Sequence, residues 1–152
     1  MIHTPCTNKD FRVCFKIGSK AHKGQLYNGK PYFRTHVIPI AHYFAKRHQW
    51  DEACLALLHD VVEDHGDVYT YDRLCLMGVP SHILKALRCI TKREDETYAD
   101  FIDRTISNDI AWRVKIRDVL QNLSHDPSRY RVRKYSRALL QLTTNCPDSI
   151  LK

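Results

Sequence analysis

Apolar residues recur along the chain at intervals of three and four, and no alternating run is long enough to read as a strand. This periodicity predicts helices over residues 9–23, 37–48, 51–63, 71–77, 80–91, 97–107, 109–123 and 131–143. Glycine and proline fall between these segments, so Gly29-Lys30-Pro31 and Gly78-Val79-Pro80 read as turns. Asp51, Ser81 and Thr97 stand where N-caps are expected. Within 109–123, Ile116, Leu120 and Leu123 follow i, i+4, i+7 spacing and are expected to face the core. Val114, Asp118 and Asn122 form a neighbouring row that carries a carboxylate and a carboxamide on one stripe. Asp is a poor helix former in a helix interior, so Asp118 beside an apolar stripe asks for a partner. No internal repeat, low-complexity segment or linker divides the chain. The predicted fold is all-α, one compact domain over residues 1–152 with about eight helices.

Composition narrows the class. A domain of 152 residues buries about 70% of the surface its unfolded chain exposes, enough for a real core. A hydrophobic content of 43% with 27% charged residues is ordinary for a soluble globular protein. No segment reads as a transmembrane span, and MIHTPCTNKDF lacks the basic-then-apolar order of a signal peptide. The expectation is a cytoplasmic protein with no membrane partner. Six cysteines occur without any CxxC, which argues against a cysteine zinc site. Cys14, Cys54, Cys75 and Cys89 lie among apolar residues at helical spacing, where a free thiol behaves as a small buried hydrophobe. Reduced, structural cysteines are expected. The net charge of +7 favours an anionic partner, either nucleic acid or a small phosphorylated molecule. Arg129, Arg131, Arg133, Lys134 and Arg137 concentrate part of that charge near the C-terminal end, although charge patterning alone also fits a solvated helix face.

The candidate chemistry lies in ALLHDVVED, residues 56–64. An apolar run there ends in His59, Asp60, Glu63 and Asp64, four titratable groups whose burial is costly unless a cation compensates them. His36, at the predicted start of a helix, and Asp118, in the middle of another, complete an H…HD…D set. Two neutral imidazoles and two carboxylates suit a first-row divalent ion. Neighbouring residues on a helix diverge by about 100°, so His59 and Asp60 share an ion only if the helix meets it edge-on. Glu63 and Asp64 follow about one turn later, on the side of the ion.

Five stretches, in order and spacing, carry a family resemblance. They are AHKGQLYNGKPYFRTH (21–36), ALLHDVVED (56–64), ITKREDETYADFI (90–102), VKIRDVLQNL (114–123) and RVRKYSRAL (131–139). From about residue 12 to 142 the chain resembles the HD-domain phosphohydrolases. Within them it looks like the hydrolase domain of RelA/SpoT proteins and the small stand-alone alarmone hydrolases. The resemblance implies that His36, His59, Asp60 and Asp118 hold a divalent metal ion, foremost Mn2+, and that Glu63 and Asp64 position or deprotonate the attacking water. It implies that Asn122 lies near the nucleotide sugar, that Lys23 borders the base pocket, and that Arg131 and Tyr135 contact substrate phosphate. The chain departs from the family pattern at Val37, where proline is usual. It departs again at Arg117 and Val119, where Arg117 sets a bulky cation beside Asp118. The implied activity is removal of the 3′-pyrophosphate from a guanosine or adenosine tetra- or pentaphosphate alarmone. The implied partner is therefore a phosphorylated nucleotide rather than nucleic acid. The alternatives are a phosphatase for another phosphorylated nucleotide and a non-catalytic nucleotide- or RNA-binding HD module.

Overall fold

The computed structural model describes residues 3–145 and places nine α-helices among them. They are α1 Asn8–Ala21, α2 Ile38–Ala45, α3 Trp50–Leu58, α4 Val61–His65, α5 Tyr71–Leu76, α6 Ser81–Ile90, α7 Tyr98–Ile106, α8 Asp109–Leu123 and α9 Arg129–Thr144. A two-residue hairpin, β1 Leu26–Tyr27 with β2 Lys30–Pro31, and a π-helical turn at Phe33–Val37 separate α1 from α2. The all-α prediction holds, and the extra helix arises because the segment expected at 51–63 breaks into α3 and α4. The tight turn lies one residue earlier than predicted. Asn28 and Gly29 both take positive φ, 50° and 76°, the turn that matches the twist of a short hairpin, while Lys30 and Pro31 pair as strand.

Caps explain several boundaries. Thr97 caps α7 by accepting the Asp100 N–H, as expected, and Asn108 and Ser128 do the same for α8 and α9. Asp51 and Ser81 are not caps. Both sit in the first turn of their helices, α3 following Gln49 and α6 following Pro80. Asp51 instead accepts the Cys6 N–H at 2.7 Å, which ties the N-terminal segment down.

Helix α3 is the hub. Residues Ala53 to Leu58 are all buried, as a helix apolar on every side must be, and α3 packs against α1, α2, α6 and α8. The approach of α1 requires Gly18: a Cβ there would stand 2.3 Å from the Leu57 carbonyl oxygen. Helix α8 serves two apolar clusters at once. Ala111 and Val114 join the larger core of α1 to α6, while Trp112 and Val119 join a smaller one with Phe101, Ile102, Ala138 and Leu142. That double duty overturns the expected inward face: Leu120 is 38% exposed and Ile116 and Leu123 are half-buried, whereas the row of Val114 and Asp118 is buried.

Five cysteines fall among the described residues and none is paired; Cys146 lies outside them. Cys14 and Cys54 are buried as expected, but Cys75 is exposed because α5 turns Leu74 rather than Cys75 to the core, and Cys89 on α6 is half-buried. No helix among the described residues is long and apolar enough to cross a membrane.

Candidate active site

Three donor side chains from three elements converge at the junction of the two apolar clusters. His36 comes from the π-helical turn, His59 from the residue that ends α3, and Asp118 from the middle of α8. They are 2%, 1% and 4% exposed, and one ligand atom of each falls within 4.8 Å of the others. His36 Nε2 is 3.0 Å from Asp118 Oδ1, and His59 Nε2 is 3.7 Å from the same oxygen. Asp60 flanks the set, with Oδ2 3.1 Å from His59 Nε2 and held by the hydroxyl of Tyr32.

The break after α3 solves the problem of adjacent ligands. Asp60 takes φ −105° and ψ −1°, which ends the helix between His59 and α4. The two side chains can therefore turn to one side, as a continuous helix would not allow.

The donor set fits a cation. His59 Nδ1 donates to the Ala56 carbonyl at 2.7 Å, which leaves Nε2 as the free lone pair, and that atom is buried with no hydrogen-bond partner. Burial alone would lower the His59 pKa, but Asp60 and Asp118 beside it reverse the effect and hold it well above the usual imidazole value. Burial likewise opposes ionisation of Asp118, yet Lys115, His36 and His59 keep its carboxyl well below the usual range. The pocket thus stabilises positive charge at the Nε2 edge of the histidines, which a divalent ion would supply.

The cleft above these donors has a volume of ≈ 260 Å³. Its acidic rim is Glu63 and Asp64 on α4. Glu63 accepts the Lys92 N–H at 3.0 Å, and although it reaches solvent, the surrounding protein desolvates its carboxyl enough to raise the pKa. Asp64 accepts from Gln25 Nε2 at 2.8 Å. Its basic rim is Lys92, Lys115 and Lys134, with Tyr98 and Tyr135 between them. Lys115 Nζ donates to Asp118 Oδ2 at 2.8 Å, and its own pKa is raised: burial opposes that, but Asp118 outweighs it. The Tyr98 hydroxyl is buried without a partner, and burial pushes the Tyr135 phenol up to about 12.

Of the residues singled out in the sequence, His36, Asp60, Glu63, Asp64, Asp118, Asn122 and Tyr135 line the cleft, and His59 lies beneath it. Asn122 donates to Asp118 Oδ1 at 2.8 Å and accepts from the Tyr27 hydroxyl at 3.4 Å. Arg131 stands one step back, donating to that hydroxyl at 3.2 Å. Lys23 does not join the group: it is exposed past the end of α1 and absent from the lining. Arg117 does not crowd the pocket either, because its guanidinium stacks on Tyr43, 3.8 Å from the ring centre. Sequence reasoning missed Lys92, Lys115, Tyr98, Tyr32 and Gln25. The signals were present in quoted stretches: Lys92 in ITKRED, and Lys115 one turn before Asp118 in VKIRD.

No protein-family model matches the chain, and no curated protein does. The structure is similar to a solved structure of a metazoan ortholog of SpoT, described as hydrolyzing ppGpp and playing a role in starvation responses. The TM-score is 0.69 over 95% of this chain and 88% of that one, at 20% sequence identity. The likeness establishes the fold, an all-α helical domain shared with that structure.

Proposed function

We propose that the chain is a metal-dependent phosphohydrolase that removes the 3′-pyrophosphate from a guanosine or adenosine tetra- or pentaphosphate. One observation carries this reading: a buried two-histidine, one-aspartate donor set, with an unpartnered His59 Nε2, opens onto a cleft ringed by three lysines. An imidazole–carboxylate set beneath a cationic rim suits a phosphate ester held against a divalent ion. His36, His59, Asp60 and Asp118 would hold that ion, and Mn2+ suits their mixed nitrogen and oxygen donors. When bound, it supplies charge that polarises a phosphoryl oxygen and makes water easier to deprotonate.

The remaining chemistry belongs to the side chains. Glu63, whose raised pKa keeps it a useful base, accepts the proton of the attacking water. The water oxygen adds to phosphorus as the bond to the ribose 3′ oxygen breaks, and the proton taken up by Glu63 is returned to that oxygen, which leaves as the 3′-hydroxyl. Asp64, fixed by Gln25, orients that water. Lys92 and Lys134 neutralise charge on the departing pyrophosphate, and the Tyr98 and Tyr135 hydroxyls donate to its oxygens. Asn122 and Tyr27, braced by Arg131, face the sugar.

The test is incubation of the purified protein with Mn2+ and a nucleotide panel, with products resolved by anion-exchange chromatography. The expected result is intact pyrophosphate from the 3′ position of an alarmone and little turnover of simple 5′-nucleotides. Survival of the alarmones while another phosphorylated nucleotide is consumed overturns the substrate. No turnover of any nucleotide overturns the catalytic reading.

A further inference from the structure

A second group of metal-binding side chains converges away from the cleft, where the N-terminal segment crosses α3 and α6. His3 Nε2 lies 2.8 Å from Asp51 Oδ2, and His82 Nε2 lies 3.0 Å from Asp51 Oδ1. The two imidazoles stack with centroids 4.1 Å apart, and one ligand atom from each of the three residues falls within 4.8 Å of the other two. The Cys6 N–H donates to Asp51 Oδ1 at 2.7 Å, and the Cys6 sulfur is 3.6 Å from His82 Nε2.

An ion-pair reading handles this arrangement badly. Two protonated imidazoles stacked face to face would repel, with a single carboxylate to compensate them. With both rings neutral, the group instead offers two imidazole nitrogens and a carboxylate oxygen from three separate segments. A tetrahedral first-row ion with bonds of about 2.0–2.3 Å holds its ligands roughly 3.3–3.8 Å apart. The observed imidazole–carboxylate separations of 2.8 and 3.0 Å lie just below that, so the side chains need move only slightly outward. The Cys6 N–H orients the carboxylate, as the hydrogen-bonded partners of metal ligands do. Two imidazoles and a carboxylate suit zinc.

We propose that His3, Asp51 and His82 bind a zinc-like divalent ion, with water in the remaining coordination position, and that the ion fastens the N-terminal segment to α3 and α6. The site accounts for Asp51 turning away from a capping role, and it is independent of the cleft.

The test compares the full chain with His3→Ala and His82→Ala after stripping and reloading with zinc. The His3 side chain is 45% exposed, so His3→Ala keeps the test open even if His82→Ala folds poorly. Both histidine variants are expected to retain about one equivalent of zinc fewer than the parent chain, with hydrolysis in the cleft unchanged. An unchanged zinc count in both histidine variants overturns the site.

Discussion

The two apolar clusters on either side of the cleft contribute opposite chemistry. The larger, built on α3, brings up imidazoles and carboxylates: His36, His59, Asp60, Glu63 and Asp64. The smaller, built from α7, α9 and one side of α8, brings up Tyr98, Lys134 and Tyr135. Burial differs in the same way. The histidines are sealed beneath a helix that is apolar all round, while α9 buries only Ala138 and Leu142 and leaves most of its length open to water. Ligands for an ion need fixed positions, which dense packing provides. Cations that meet a mobile phosphate need reach and partial solvation instead, which an amphipathic helix provides. Helix α8 belongs to both sides and carries the pair that joins them, Asp118 and Lys115.

The strongest way to break this comparison is to cut that joint. Asp118→Ala should abolish ion binding and turnover together, and should destabilise the fold by about 3–5 kcal/mol because it strands a buried Lys115. Elemental analysis and thermal unfolding check both effects. An unchanged ion content would show that the donor set does not depend on α8.

Next in size is the acidic rim. Glu63→Gln should keep the ion but lower turnover by about 10²–10⁴. Glu63 must be ionised to take a proton, and burial raises its pKa, so activity should fall as pH drops through a value above the ordinary glutamate range. The same substitution should remove that acidic limb from the pH–rate profile. Parent-like turnover would place the base elsewhere.

The basic rim should give smaller effects. Loss of a charge-assisted phosphate contact in Lys134→Ala should lower kcat/KM by about 1.5–3 kcal/mol, with ion content unaffected. Arg129→Ala, on an exposed part of the same helix, is the matched control and should do little. Equal effects from the two would reduce α9 to a solvated face.

The smallest effect sharpens the boundary of the site. Lys23→Ala should change kcat/KM and stability by no more than about 0.5 kcal/mol, because the side chain is exposed outside the cleft. A tenfold loss would mean that the substrate extends past α1.

Much of this was legible in the chain because it is local. Helical periodicity, the Thr97 cap and the turn residues act over a few positions, so they predicted an all-α fold and most of its elements. The donors stood out for the same reason: His59-Asp60 closing an apolar run, and Asp118 in a helix interior, are locally unfavourable placements that called for a cation. Tertiary structure decided the rest, since each remaining feature joins residues far apart. Periodicity runs unbroken through 51–63, and only the folded chain ends the helix at Asp60 and lets two adjacent residues face one point. The expected inward face of α8 failed because a one-stripe pattern does not describe a helix packed between two clusters. Lys23 and Arg117 show the same limit from the other side. Charge and sequence position nominated both, but packing left Lys23 in solvent and laid Arg117 on Tyr43, while Lys92 and Lys115 took places at the cleft. The sequence determined which chemical groups were available, because their types and spacings are written in it. Packing determined which of them meet, because that depends on contacts between segments no local pattern records.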